Sequence, residues 1–223
     1  MAGRTTTLSI NYSLYLILDS RFARGRALLD VAQAAVRGGV TVLQIREKHL
    51  TTRELVRAAL ELRAWAREAG VPFIINDRVD VALAVDADGV HLGPDDMALE
   101  TARRILGHTR IIGVSAGTQD EAREAARGGA DYIGVGAVYN TASKSDAGAP
   151  IGVDGFAAIA RSVRIPAVAI GGLSVDNVAP VIMAGAAGVA VISAIVGAMD
   201  VERAANEMRS RIDAARHVAT GSR

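Results

Sequence analysis

A chain of 223 residues, half of them hydrophobic and 22% charged, has enough apolar side chain to fill one sizeable core, and its length suits a single α/β-barrel domain. The formal net charge of +1 and the scattering of the aromatics, 4% of the chain, argue against a surface that binds nucleic acid or an anionic membrane. Without cysteine there are no disulfides, thiolate nucleophiles or cysteine-ligated metal centres, which agrees with a cytoplasmic location.

The start, Met1 to Ser13, is polar and threonine-rich and lacks a signal core, so it reads as a tail. No apolar run reaches the length of a membrane span. From Leu14 onward, short β-branched apolar runs alternate with longer segments of helical periodicity. The predicted strands are Leu14 to Asp19, Val42 to Arg46, Phe73 to Asn76, Gly89 to Leu92, Arg110 to Ser115, Tyr132 to Gly136, Ala167 to Gly171 and Val189 to Ser193. Between the second and third, Leu55, Ala59, Leu62, Ala66 and Ala69 form one helical stripe. Thr51-Thr52-Arg53-Glu54 is a capping box at its start, and Gly70 with Val71-Pro72 is its stop. Eight such units predict an α/β fold of the (β/α)8 TIM-barrel type in one domain, residues 14–216, with a tail at 217–223. A doubly wound sheet would open on a glycine-rich turn, which Asp19 to Arg24 lacks.

In a barrel, an active site belongs at the carboxyl ends of the strands, and those ends are polar here. They carry Gln44-Ile45-Arg46-Glu47-Lys48, Asn76-Asp77-Arg78, His91 through Asp96, Ser115, and a loop with Thr141, Ser143 and Lys144. Lys48 and Lys144 are the chain's only lysines, and both fall in these loops, where a compact ammonium suits a phosphate. Asp77 and Asp96 end neighbouring strands about 5 Å apart, so both carboxylates can meet one Mg²⁺; the competing role for either is helix N-capping. His91 is expected to be a partly buried, hydrogen-bonded ring, Glu47 and Asp95 to make local bridges or caps, and Arg78 either to close a helix or to touch substrate. Gly171-Gly172 and Ile192-Ser193 follow the seventh and eighth strands, where barrels often bind phosphate, and Gly148 and Gly152 flank a candidate lid.

These motifs, together with Gly113-Val114-Ser115, Thr141-Ala142-Ser143-Lys144, Ile170-Gly171-Gly172 and Val191-Ile192-Ser193-Ala194-Ile195, resemble those of thiamine-phosphate synthases in order and over nearly the whole chain. The resemblance implies that Gln44, Arg46, Lys48, Asn76, Ser115 and Lys144 contact an aminopyrimidine methyl diphosphate, with Arg46, Lys48, Lys144 and Ser115 in catalysis. It implies that Asp77 and Asp96 hold Mg²⁺, and that Thr141, Ser143, Gly172, Ile192 and Ser193 receive a thiazole phosphate. The implied reaction is dissociative loss of diphosphate followed by capture of the pyrimidine methylene by the thiazole nitrogen. Three positions depart from the family pattern: Pro94 where glutamine is common, Asn140 for proline, and Ser143 for threonine.

Three other readings remain open on sequence. A thiazole tautomerase on the same barrel would not need Asp77, Asp96 or Lys48. A phosphosugar isomerase or Schiff-base aldolase would use Lys144 as base or nucleophile. A noncatalytic phosphometabolite-binding barrel would keep the pockets and lose turnover. Small-molecule substrates are expected in preference to nucleic acid or membrane, and a homo-oligomer stays open, with no apolar helix face identifiable for it.

Overall fold

The computed structural model describes residues 10–143 and 148–221. Eight strands form: β1 (Leu14–Leu18), β2 (Val42–Ile45), β3 (Phe73–Asn76), β4 (Gly89–Leu92), β5 (Ile111–Ala116), β6 (Tyr132–Val135), β7 (Ala167–Ile170) and β8 (Gly188–Val191). Each pairs in parallel with its neighbour in sequence, and β8 returns to β1, so the sheet closes into a barrel. The chain is a single-domain (β/α)8 barrel, as the repeated periodicity predicts.

The helices are α1 (Leu28–Arg37), α2 (Thr52–Glu68), α3 (Val79–Ala84), α4 (Leu99–Leu106), α5 (Gln119–Arg127), α6 (Gly152–Arg161), α7 (Val178–Met183), α8 (Ser193–Val196) and α9 (Val201–Gly221). In α2 the predicted stripe buries Leu55, Leu62 and two alanines, whereas Ala69 is exposed because the helix ends at Glu68 and Ala69 is its C-cap. Both halves of the capping box are present: Thr51 N–H donates to Glu54 (2.9 Å) and Glu54 N–H to Thr51 Oγ1 (3.4 Å). Thr118 and Glu121 repeat the device on α5. The eighth strand stops short of its predicted end. Ile192 turns out of the extended region (ψ −88°), so Ser193 opens the short helix α8 instead of ending a strand. The eighth outer-helix position belongs to α9, which packs against α1 and α7 and continues to Gly221, beyond the expected boundary at 216.

Strand periodicity divides the core in two. One cluster lies between barrel and helices and takes Leu14, Leu16, Leu18, Leu43, Ile45, Phe73 and Ile75 from the first three strands. The alternate residues Tyr15, Ile17, Val42, Ile74, Tyr132, Val168 and Ala190 fill the barrel itself. The same alternation turns Gln44, Asn76, His91 and Ser115 inward, toward the carboxyl ends of their strands. Glycine occupies two inward positions where a Cβ would collide with a neighbouring strand. A Cβ on Gly188 would lie 1.7 Å from the Tyr12 carbonyl oxygen, and one on Gly113 would lie 2.1 Å from Tyr132 Cζ. Gly188→Ala must therefore push apart the β8–β1 seam, and urea denaturation is expected to show a loss of about 3 kcal/mol or more. An unchanged midpoint would mean that the seam yields freely.

Candidate active site

Five inward side chains, Gln44, Tyr15, Tyr132, His91 and Ser115, belong to one hydrogen-bonded network. Gln44, 2% exposed, donates from Nε2 to Tyr15 Oη (2.8 Å). Tyr15 Oη is hydrogen-bonded to Tyr132 Oη (2.9 Å), Tyr132 Oη to His91 Nδ1 (3.0 Å), and His91 Nε2 to Ser115 Oγ (3.1 Å). The chain of contacts crosses the barrel from β2 to β5. Burial raises both phenols above their ordinary pKa, so Tyr15 and Tyr132 keep their protons. His91 is a partly buried, hydrogen-bonded ring, as its sequence context implies. Tyr15 and Tyr132 carry no polar signature in sequence; strand alternation counted from Gln44 and His91 is the signal that would have turned them inward.

A cluster of charge lies beside this network, at the ends of β2, β3 and β4. Lys48 Nζ is ion-paired with Asp77 Oδ2. Asp77 sits at φ 63°, a left-handed conformation open to few non-glycine residues, and its N–H donates to the His91 carbonyl oxygen (2.8 Å). Asp96 accepts from Gly93 N–H (2.6 Å). Burial, then hydrogen bonding to and the charge of Asp77, push the Asp96 carboxyl above its ordinary pKa, against the Gly93 N–H and Lys48. Neither aspartate caps a helix: Arg78 occupies the N-cap of α3 and Ala98 that of α4, both without a side-chain cap bond. Two carboxylates are thus held together at a cost from like charge, an arrangement that a divalent cation relieves. Among the described residues no group of three or more His, Asp and Glu is arranged to hold a metal.

Arg46 follows β2 and its guanidinium is fixed from below. Its Nη1 donates to Asp19 Oδ2 (3.2 Å), and Asp19 also pairs with Arg21 (2.6 Å). Asp19 is 1% exposed. Burial raises its carboxyl, but the hydrogen bonds from Arg21 and the charges of Arg21 and Arg46 outweigh that and hold it below the ordinary value. Sequence reading assigned Asp19 no function. Glu47 makes the local contacts expected of it, accepting from Ser20 N–H (2.6 Å) and Oγ (2.9 Å). Arg78 pairs with Asp80 (2.5 Å) and donates to Thr52, which ties it to the helix layer.

The ends of β6, β7 and β8 form a second group. Ser143 N–H donates to Thr141 Oγ1 (3.2 Å), and Ser143 Oγ meets Ser193 Oγ at 3.4 Å. Gly172 has φ 65°, and a Cβ there would lie 2.4 Å from the Asn140 carbonyl oxygen, so only glycine lets the loop after β6 close over the end of β7. Ile192 is buried beneath, and α8 is the short extra helix that barrels often place beside a phosphate. Lys144 lies outside the described residues, whereas Gly148 and Gly152, which flank the candidate lid, are described, both with left-handed backbone (φ 67° and 68°).

A family model described as thiamine monophosphate synthase matches residues 14–195. The chain belongs to the thiamine monophosphate synthase family. It is 53% identical over 203 residues to a thiamine-phosphate synthase of Chloroflexus aurantiacus, covering 91% of this chain and 94% of that protein. A thiamine-phosphate synthase of Moorella thermoacetica is 50% identical over 205 residues, covering 92% and 98%. A solved thiamine phosphate pyrophosphorylase from Pyrococcus furiosus superposes with a TM-score of 0.85 at 43% identity, over 92% of this chain and 98% of that one. Family membership accounts for the full barrel. Among the described residues no helix is long and apolar enough to cross a membrane.

Proposed function

We propose that the protein joins an aminopyrimidine methyl diphosphate to a thiazole phosphate, releasing diphosphate and giving thiamine phosphate, the transferase step for which its relatives are named. The reading is carried by the ordered match to a thiamine-phosphate synthase across 91% of the chain. The meeting of Lys48, Asp77 and Asp96 at adjacent strand ends supports it.

The reaction breaks the bond from the pyrimidine methylene carbon to the diphosphate oxygen and forms one from that carbon to the thiazole nitrogen. The nitrogen brings its own lone pair, so the protein needs neither a nucleophile nor a base. Its task is to neutralise the leaving group and to hold the two rings in register. Arg46, Lys48 and Lys144 supply positive charge to the departing diphosphate, and Asp19 keeps Arg46 aimed. Asp77 and Asp96 fit Mg²⁺, which when bound adds charge neutralisation at the same leaving group. Gln44, Asn76 and Ser115 orient the pyrimidine. Thr141, Ser143, Gly172, Ile192 and Ser193 receive the thiazole phosphate, with Ser143 and Ser193 already in contact. The reaction takes place at the carboxyl end of the barrel, whose interior is filled by side chains, and holding the methylene cation against the thiazole nitrogen there is a matter of positioning.

The test is to mix the purified protein with both substrates, with Mg²⁺ or with excess chelator, and to follow diphosphate and thiamine phosphate together. Equal formation of both, abolished by chelator, is the expected result. Intact substrates after long incubation with metal would remove the synthase reading, and thiazole tautomerisation would be measured next.

A further inference from the structure

The buried network from Gln44 to Ser115 has more order than a set of contacts, because each hydroxyl in it has a single proton to give. Among the described residues Tyr15 Oη has two partners, Gln44 Nε2 and Tyr132 Oη. Gln44 Nε2 is a donor, so Tyr15 accepts there, and its own proton can go only to Tyr132. Tyr132 then accepts from Tyr15 and must give its proton to His91 Nδ1 (3.0 Å). An imidazole that accepts at Nδ1 carries its proton on Nε2, which donates to Ser115 Oγ (3.1 Å). Ser115, having accepted, is left with its own O–H to donate to a ligand. Gln44, its amide nitrogen turned to Tyr15 through one of its two protons, presents Oε1 as its acceptor. Turned the opposite way while Gln44 donates, the chain would leave a buried Tyr15 proton without an acceptor, which is unfavourable.

We propose that Tyr15, Tyr132 and His91 are positioning residues forming a one-way hydrogen-bond relay that fixes Gln44 as acceptor and Ser115 as donor, and so selects a pyrimidine edge presenting an amino donor beside a ring-nitrogen acceptor. The proposal rests on the aminopyrimidine reading above and adds how its polarity is set. The barrel is built to hold the relay. Gly113 leaves room for Tyr132, and a Cβ on Gly134 would lie 3.0 Å from His91 Cε1. The rings of Tyr12, Tyr15 and His91 pack on Tyr132 with centroids 4.8, 5.9 and 5.5 Å away, which locks its hydroxyl between its two partners.

The decisive measurement needs no substrate. Long-range ¹H–¹⁵N spectra of histidine-labelled protein, with His91 assigned by comparison with His91→Gln, are expected to show a protonated Nε2 and a bare Nδ1. A proton on Nδ1, alone or on both nitrogens, would overturn the relay; it is also what results if Gln44 turns its carbonyl to Tyr15. The kinetic test compares the aminopyrimidine diphosphate with its 4-oxo analogue, whose edge has donor and acceptor exchanged. Tyr132→Phe should reduce the preference in kcat/KM for the amino compound by about tenfold or more and leave KM for the thiazole phosphate unchanged. Tyr15→Phe, which cuts the same chain one link earlier, serves if Tyr132→Phe does not fold, with the same fall expected. An unchanged preference in a folded variant would sink the proposal. A wild-type protein that makes no thiamine phosphate would refute the functional reading instead, and the tautomer of His91 would still decide the relay.

Discussion

Asp77→Asn is expected to lower kcat/KM by roughly a hundredfold or more while making the protein harder to melt at neutral pH. Asparagine is the substitution of choice because it tolerates the left-handed backbone at φ 63°. Loss of activity follows from removing one of the two carboxylates that fit Mg²⁺. The gain in stability follows from Asp96. Its carboxyl is held above the ordinary pKa by burial and, next, by Asp77. A carboxyl whose folded pKa exceeds its unfolded one costs the fold stability as pH rises through the folded value, and the cost is fully present at neutral pH. Asp77→Asn removes part of it. The ion pair to Lys48 is lost as well, but Lys48 is 47% exposed and such pairs contribute little. Melting curves should therefore show a higher Tm than wild type near pH 7 and no difference well below the ordinary carboxylate range. Mg²⁺ with diphosphate should raise the Tm of the wild type alone. A variant less stable at every pH would recast Asp77 as a structural residue.

Asp19→Asn should produce a different pattern. The carboxylate is buried, and its partners are Arg46, 12% exposed, and Arg21, 43% exposed. Removing its charge leaves the largely buried Arg46 without this counter-charge. The expected loss is about 2–3 kcal/mol, below the usual range for a fully buried pair because Arg21 reaches water. Since Asp19 is held below its ordinary pKa, its contribution is present above the ordinary carboxylate value and is lost as pH falls through the lowered folded one. Urea midpoints of wild type and variant should converge in acid and separate toward neutrality. In the steady state, KM for the pyrimidine diphosphate should rise by about tenfold, because Arg46 is no longer aimed, with KM for the thiazole phosphate unmoved. A gap in stability that stayed constant with pH would show that Asp19 acts through packing rather than charge.

How much of this was legible in the sequence depends on whether a feature repeats. The strands were, because β-branched runs between helical stripes recur eight times, and each predicted strand forms, β3 and β4 with the predicted bounds and the others with an end shifted by a residue or two. The polar strand ends were legible as a set for the same reason. Asp19 was not: it stands at the end of an apolar strand and reads as the first residue of a turn, and Arg46, the partner that ties it to the site, reaches it from the next strand. Tyr15 and Tyr132 were not legible either. Both are ordinary strand residues by composition, and their meeting across 117 positions of sequence depends on barrel closure and on the missing side chain of Gly113. The end of β8 was misjudged because Ile192, apolar and β-branched, prefers extended structure in general but here turns the chain into α8.

The seam between β1 and β8 has a consequence for how the molecule comes off the ribosome. Leu14 is synthesised first and pairs with Val189, and Arg216 of α9 later reaches back to Ser13 and the Ala187 carbonyl. At ordinary elongation rates β1 waits on the order of ten seconds for its second neighbour. During that time Leu14–Leu18, an unbroken run of five apolar residues, presents a bare strand edge. A nascent chain arrested before residue 188 should therefore be a far better chaperone substrate, and a far more aggregation-prone one, than the released protein, whose closed barrel has no edge to offer.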